Sequence, residues 1–393
     1  MGCSIAFHLA KAGLRDIVLI DKKGIAAGNT AKSGALVRMH YTDQAQVKIA
    51  LAALRYFQNW GDMVGGGANE SGFTTTGFIY LVGPDNAERL RQNVAMQQKA
   101  GANTREVSLD EVRELQPSIK LEGVAAACYE PESGFADPIA TTQAFARAAE
   151  RQGVEIVSGV MAQELILKGE RVAGLKTNQG TIETPLVMSA IGPWSGRLLG
   201  PLGIELPIKP HRSQITFFER PAALDNKLTY IDIANGLYGR RTNDGAVLAG
   251  SSNFAVPNRN INRVFSDQSG SQDDHAEEID PDNYKESNDP EYVEFTRRIL
   301  GKRYPLLEGA HYRRGHAGLY DMTPDARPIL DQSPVEGLFV AAGFSGQGFK
   351  KSPAIGLVMS ELMLGRTPSL DITPFRMSRF AEGDLVRGQH EYV

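Results

Sequence analysis

Cysteine is nearly absent. Cys3 and Cys128 are the only two in 393 residues, which excludes a disulfide scaffold, an iron–sulfur cluster held by the chain alone and a CxxC zinc site. No metal site is expected, and a reducing, cytoplasmic compartment fits best. An excess of positive charge is missing too. The formal net charge is −4, so no basic field covers the chain to attract nucleic acid. Nor is there a run of ~18 uninterrupted apolar residues, which argues against a membrane span. The most apolar window, 186–206, is broken by Pro193, Pro201 and several glycines and carries Arg197. Targeting signals fail as well. Ala6 stands where myristoylation requires Ser or Thr, and His8 and Lys11 interrupt the apolar core of a secretion signal.

What is abundant is glycine, at 41 residues or above a tenth of the chain, against a usual ~7%. Without a collagen period, such a surplus serves turns and close backbone approach to a ligand. With 42% hydrophobic and 22% charged residues the chain is globular. Its length suggests two lobes burying roughly 75% of the unfolded surface.

Residues 2–13 carry Ile5, Ala6, Leu9 and Ala10 on one helical face, and Gly13 ends them. The apolar run Ile17-Val18-Leu19-Ile20 then reads as a parallel strand buried on both faces, closed by Asp21. Helices are expected over 44–60, near 85–100, and over 109–115, 290–303 and 352–364. Another runs from Asp137-Pro138 to Gln152, with Pro138 early and Gly153 past its end. Strands are expected at 78–82, 154–157, 186–190 and 338–342, with a meander over 161–184 and further strands within 209–255. Between 257 and 294, eleven Asp or Glu stand against three Lys or Arg. A solvated acidic insertion is the expectation there.

Helix followed by buried strand is half of a βαβ unit. In a dinucleotide fold the pyrophosphate sits at the N-terminus of the first helix, fed by a GxGxxG loop. Gly2 fits only the third of those glycines, so the first strand and two glycines would precede Met1. The chain is therefore expected to be truncated at its N-terminus. Asp21, nineteen residues past Gly2, stands where a carboxylate accepts from the adenosine ribose hydroxyls. By themselves one glycine and one acid also suit an incidental helix–strand pair. Further along lie the small-residue loop from Gly28 to Arg38, the run Gly318-Leu319-Tyr320-Asp321-Met322-Thr323-Pro324-Asp325, and the turn Gly343-Phe344-Ser345-Gly346-Gln347-Gly348-Phe349-Lys350. Such a turn before a helix can hold an electron-rich ring edge on backbone N–H groups.

In their order and spacing these elements resemble the FAD-dependent D-amino-acid-oxidase-type superfamily, in the branch of glycine oxidase, sarcosine oxidase and dimethylglycine dehydrogenase. The resemblance runs from Gly2 to about Phe380. It implies an α/β fold with a Rossmann-like FAD-binding lobe, first strand missing, over 1–76, 138–208 and 312–393. A mostly antiparallel substrate-binding lobe, over 77–137 and 209–311, is interleaved with it. It also implies roles. Asp21 and Lys22 resemble the adenosine-ribose position, and Thr30, Ser33, Gly34 and Leu36 the loop along pyrophosphate and flavin. Val160 and Met161 resemble the adenine contact, and Ala190, Gly192 and Trp194 the second dinucleotide motif. Gly318, Gly343, Ser345, Gly346, Gln347, Gly348 and Phe349 resemble the lining of the flavin ring.

Arg38 and Lys350 match the cations that hold a substrate carboxylate in the sarcosine-oxidase branch, with Lys351 as a rival. Gly318 stands where some relatives carry a flavin-linking Cys, and His40 falls downstream of the His that others use. Noncovalent FAD is therefore implied, with His40 and Tyr320 as pocket residues. The implied reaction removes hydride from the α-carbon of a small amino acid or N-methylated amino acid, leaving an imine that water hydrolyses. Oxygen, a partner protein or a quinone would accept the electrons, and an oligomer is left open. Two rivals remain at this stage: an FAD-deficient, noncatalytic relative or subunit of a larger amine dehydrogenase complex, and a nicotinamide-dependent dehydrogenase. The glycine turn at 343–348 has no evident purpose in the latter.

Overall fold

The computed structural model describes residues 1–251 and 279–392. The chain opens with α1 (Gly2–Lys11), β1 (Val18–Asp21), β2 (Leu36–Val37), α2 (Gln44–Gln58) and α3 (Trp60–Met63). It continues through β3 (Thr74–Thr75), β4 (Phe78–Val82), α4 (Ala87–Lys99), β5 (Arg105–Val107), α5 (Leu109–Leu115), β6 (Ala126–Glu130) and β7 (Gly134–Phe135). Next come α6 (Pro138–Arg151), β8 (Glu155–Ser158), the meander β9 (Ala162–Lys168), β10 (Arg171–Thr177) and β11 (Gly180–Glu183), then β12 (Val187–Ser189) and α7 (Ser195–Leu199). After these follow β13 (Lys209–Glu219), β14 (Thr229–Asp232), β15 (Leu237–Arg241), β16 (Ala246–Ser251) and α8 (Pro290–Arg303). The chain closes with β17 (Tyr312–Met322), β18 (Ile329–Gln332), β19 (Leu338–Ala342), α9 (Gly348–Met363) and α10 (Arg379–Glu382).

The expected α/β architecture is present. Parallel pairs β1–β8 and β12–β19 lie beside α1, α6 and α9, while an eight-stranded sheet runs β17-β13-β16-β15-β14-β4-β6-β5. That large sheet is antiparallel throughout except where β14 meets β4. Local chemistry explains the boundaries. Asp137 caps α6 by accepting from the Ile139 and Ala140 N–H groups, and Pro138 takes the first position, where no intrahelical donor is needed. One core fills the space between α1, α2 and α6 around Phe7, Trp60 and Phe145. Another lies beneath α8 on the large sheet, where the fully buried Arg303–Asp232 pair ties helix to strand at 2.5 Å. Among the described residues no helix is long and apolar enough to cross a membrane.

Three expectations change. Strand β1 is parallel but not buried on both faces, and Val18 is 42% exposed. Its one described neighbour is β8, so its other edge is unpaired among the described residues. Helix α9 begins at Gly348 and not at 352, with Pro353 inside it. A proline only six residues in withdraws one donor, from the Phe349 carbonyl, and the helix tolerates that. Of the acidic insertion 257–294, residues 257–278 lie outside the described residues. The described part is tied down through its carboxylates. Asp280 and Asp282 pair with Arg197, Asp282 also with Lys22, Glu286 with Lys32, and Asp289 with Arg212 and Lys285.

Candidate functional site

Two helices set up the first half of the site. The Ser4 hydroxyl of α1 donates to the Ser352 carbonyl of α9 at 2.8 Å. A side chain on Gly356 would collide with Ser4 and His8, so residues 4 and 8 register with 352 and 356. The helices therefore run parallel, with both N-termini at one end. Neither carries a side-chain cap or an acidic residue in its first turn. Unspent N–H groups and two aligned dipoles make that end a favourable place for an anion. Gly2, Gly348, Phe349 and Lys350 lie in these first turns, although the Phe349 ring turns aside to pack against Phe57.

The carboxyl ends of the parallel strands β12 and β19 form the adjoining edge. Beyond them Gly192, Gly343 and Gly346 adopt φ of 57°, 68° and 77°, and Ser345 is held at φ 49°. Only glycine takes such conformations at little cost. Asp321 joins the two turns: its carboxylate accepts from the Gly343 N–H at 2.7 Å and lies beside Gly192. Burial pushes this carboxyl up to about 6 despite those donors. Asp321 was not singled out in the sequence, and its place at the end of a strand facing a glycine turn was the available signal.

The remaining predicted cofactor residues are distributed around this edge. Asp21 accepts from its own turn, the Lys23 and Gly24 N–H groups, both at 2.8 Å through Oδ1. Lys22 lies over the Trp194 ring at 3.8 Å, and the Trp194 indole donates to Asp282 at 3.0 Å. Thr30 stands in a short 3-10 turn whose Asn29 accepts from the Leu319 N–H, bringing the loop against Gly318. Ser33 accepts from Ala35 N–H, Gly34 lies flat beneath Tyr238, and Leu36 is buried in β2. The Val160 N–H donates to the Asp21 carbonyl, while Met161 faces outward at 43% exposure. Ala190 lies between β12 and the Gly192 turn. The uncapped helix ends and the left-handed turns fit a dinucleotide diphosphate, whereas Gly34 and Gly318 are packed against Tyr238 and Lys32.

A second half, a small cavity of about 120 Å³, is lined by Arg38, His40, Tyr41, Thr42, Gln46, Tyr80, Arg327, Gln347 and Tyr392. Of the predicted site residues it gathers Arg38, His40 and Gln347. Arg38 donates to the His40 carbonyl and lies over the Tyr41 ring at 4.5 Å. His40 is buried, stacked on Tyr80 with ring centres 4.2 Å apart, and burial with Arg38 nearby lowers it to about 3. It is neutral at any physiological pH. Lys350 is half-buried, and burial followed by the Arg38 charge holds it well below the usual lysine range. Neither Arg38 nor Lys350 has an ion pair with any described carboxylate. The rival, Lys351, is fully buried and spent internally: it donates to Gln46 and Gln347 and lies over the Tyr41 ring at 3.9 Å.

Tyr320 stands apart from this cavity. Its ring fills the space where a Gly346 side chain would go, and it is hydrogen-bonded with Ser213 and Tyr238. Sequence reasoning missed Tyr41, Gln46, Tyr80, Arg327 and Tyr392. It also missed Glu130 just behind them, which accepts from Met39 N–H and Ser133 and is raised to about 6 by burial. These residues come from α2, β4, β6, two loops and the C-terminal segment and share no local pattern.

A family model described as FAD dependent oxidoreductase (DAO) matches residues 1–362, and the chain belongs to that family. FAD is accordingly its cofactor. The chain is similar to the sarcosine oxidase subunit beta of Rhodobacter capsulatus, 24% identical over 98% of this chain and 87% of that protein. It is 26% identical to the 4-methylaminobutanoate oxidase (formaldehyde-forming) of Paenarthrobacter nicotinovorans over 97% of this chain, which spans 44% of that longer protein. Among solved structures, L-proline dehydrogenase from P. horikoshii matches with a TM-score of 0.84 and 26% identity, covering 98% of this chain and 96% of the other. The resemblance drawn from the sequence is thereby confirmed at the level of family, fold and cofactor.

Proposed function

We propose that the protein oxidises the C–N bond of a small amino acid or N-methylated amino acid whose carboxylate is held between Arg38 and Lys350. One observation carries this reading: two neighbouring cations with no described carboxylate partner, one of them with its charge disfavoured by the other. A bound carboxylate would relieve that repulsion and accept the bidentate Arg38 fork. The names of the relatives, which act on sarcosine, 4-methylaminobutanoate and proline, support an amino-acid substrate. FAD, when bound, supplies the hydride acceptor. The chain's own residues position the substrate: Arg38 and Lys350 fix the carboxylate, Lys351 braces Gln46 and Gln347, and neutral His40 adds no competing charge.

The test is the double variant R38A/K350A. A hydrogen bond to a charged group is worth roughly 1.5–3 kcal/mol. Losing two should lower kcat/KM by about 10²- to 10⁴-fold on the best amino acid, with flavin content unchanged. Full activity in the double variant would exclude this pocket. Peroxide formation against dye reduction on the same substrates separates oxygen from a protein or quinone as electron acceptor.

A further inference from the structure

The C-terminal segment reaches back to the cavity. Past α10 the chain turns at Gly383, in the left-handed region at φ 69°. The Val386 N–H then donates to Asp325 at 3.1 Å. Gly388 passes so close to Thr42 that a side chain there would collide. Asn93 donates to the His390 carbonyl at 2.8 Å. Glu391 accepts from the Arg327 guanidinium at 2.7 Å and from the Gly388 N–H at 2.8 Å. Tyr392 comes last. Its hydroxyl lies 2.6 Å from His40 Nε2, and its ring lies 5.2 Å from Tyr80 and 5.9 Å from His40.

Three of these anchors, Thr42, Arg327 and His40, are themselves cavity residues, and Tyr392 lines the cavity beside them. The segment therefore does more than cover a surface: it completes a wall. Glu391 also matters to the charge balance. With Asp43 at 2.9 Å it neutralises the buried Arg327. Arg38 is left as the cavity-lining arginine without an ion pair to a described carboxylate.

We propose that Tyr392 is a specificity-determining residue whose ring forms one wall of the Arg38 cavity and limits the substrate to small side chains. The inference rests on the carboxylate reading above. Its basis is size. The cavity of about 120 Å³ is well under the ~300–1,000 Å³ of ordinary ligand pockets. With His40 and Tyr80 stacked behind it and the tail pinned at five points, the ring has little room to yield.

The experiment uses the FAD-loaded full chain and a series of straight-chain α-amino acids from glycine to norleucine, with their N-methyl forms. Two quantities are read: kcat/KM for each substrate, and equilibrium binding of the matching simple carboxylic acids by calorimetry. In the wild type both fall steeply as the chain lengthens. In Tyr392→Ala the large-to-small ratio rises, by about 10- to 200-fold per accommodated methylene at most. Tyr392→Phe, which keeps the ring and loses the His40 contact, retains the wild-type ratio. A Tyr392→Ala enzyme with an unchanged ratio, or with every substrate weakened by one common factor, overturns the inference. The R38A/K350A variant keeps the two questions apart. If it binds the carboxylic acids as well as the wild type does, the carboxylate reading falls, and this inference with it. If it loses them while Tyr392→Ala leaves the size ratio unmoved, only this inference falls.

Discussion

The glycine-turn edge and the Arg38 cavity lie close together yet are made of different materials. The edge is backbone: two uncapped helix ends, and turns at Gly192, Gly343 and Gly346 with positive φ. The cavity is side chain, drawn from Arg38 and Tyr80 near one end of the sequence and Arg327, Gln347 and Tyr392 near the other. Backbone donors bind a diphosphate with little regard to which side chains surround them. Such a site leaves a glycine pattern in the sequence. A side-chain cavity leaves none until the fold closes.

Asp325, beside Arg327 of the cavity, should show the largest effect. It forms a fully buried pair with Arg379 at 2.8 Å and also accepts from Arg327 N–H and Val386 N–H. Asp325→Ala strands a buried guanidinium and should cost about 3–5 kcal/mol in denaturant unfolding. The Thr-Pro-Asp motif would then be an anchor for the tail and not a ligand contact.

Gly343→Val tests the backbone half. A Cβ there would lie 2.5 Å from the Thr323 methyl, at φ 68°. Strain alone costs about 1–3 kcal/mol. The variant should unfold at lower temperature and retain less flavin, read as absorbance per protein, while Gly388→Ala should leave flavin content intact.

Glu130 gives the smallest effect, and it belongs to the side-chain half. Its carboxyl rises from an ordinary 4.5 to about 6, so the folded state binds the extra proton. Stability from this group is present below about 4.5 and is lost as pH rises towards 6. Glu130→Gln should remove that slope and stabilise the protein by about 2 kcal/mol above pH 7, measured by thermal unfolding across pH 4–8.

The same division governs what was legible in advance. The strands at 78–82, 154–157 and 338–342, the Asp137-capped helix and the meander followed from periodicity, caps and turn glycines, all local signals, whereas the mostly antiparallel lobe came only with the family resemblance. Arg38 was legible through its motif. Lys350 and Lys351 could not be separated by sequence, because their difference lies in which one Gln46 and Gln347 satisfy. Lys22 and Arg197 were read without their partners, since Asp282 and Asp280 are far off in the chain. Tyr392 had no signal at all: a tyrosine near a chain end gains meaning only when His40 and Tyr80 are found beside it.

Carboxylate binding as a function of pH tests the central claim most directly. Lys350 must be protonated to hold the anion, and burial with Arg38 holds it well below the usual lysine range. Affinity for a simple carboxylic acid should therefore fall as pH rises, beginning well below the ~10.4 of a free lysine. Lys350→Met should bind more weakly and lose that fall. Arg38→Lys, with its more compact and more strongly hydrated charge, should weaken binding and keep it. Affinity independent of pH in the wild type, or a fall unchanged in Lys350→Met, would contradict the account.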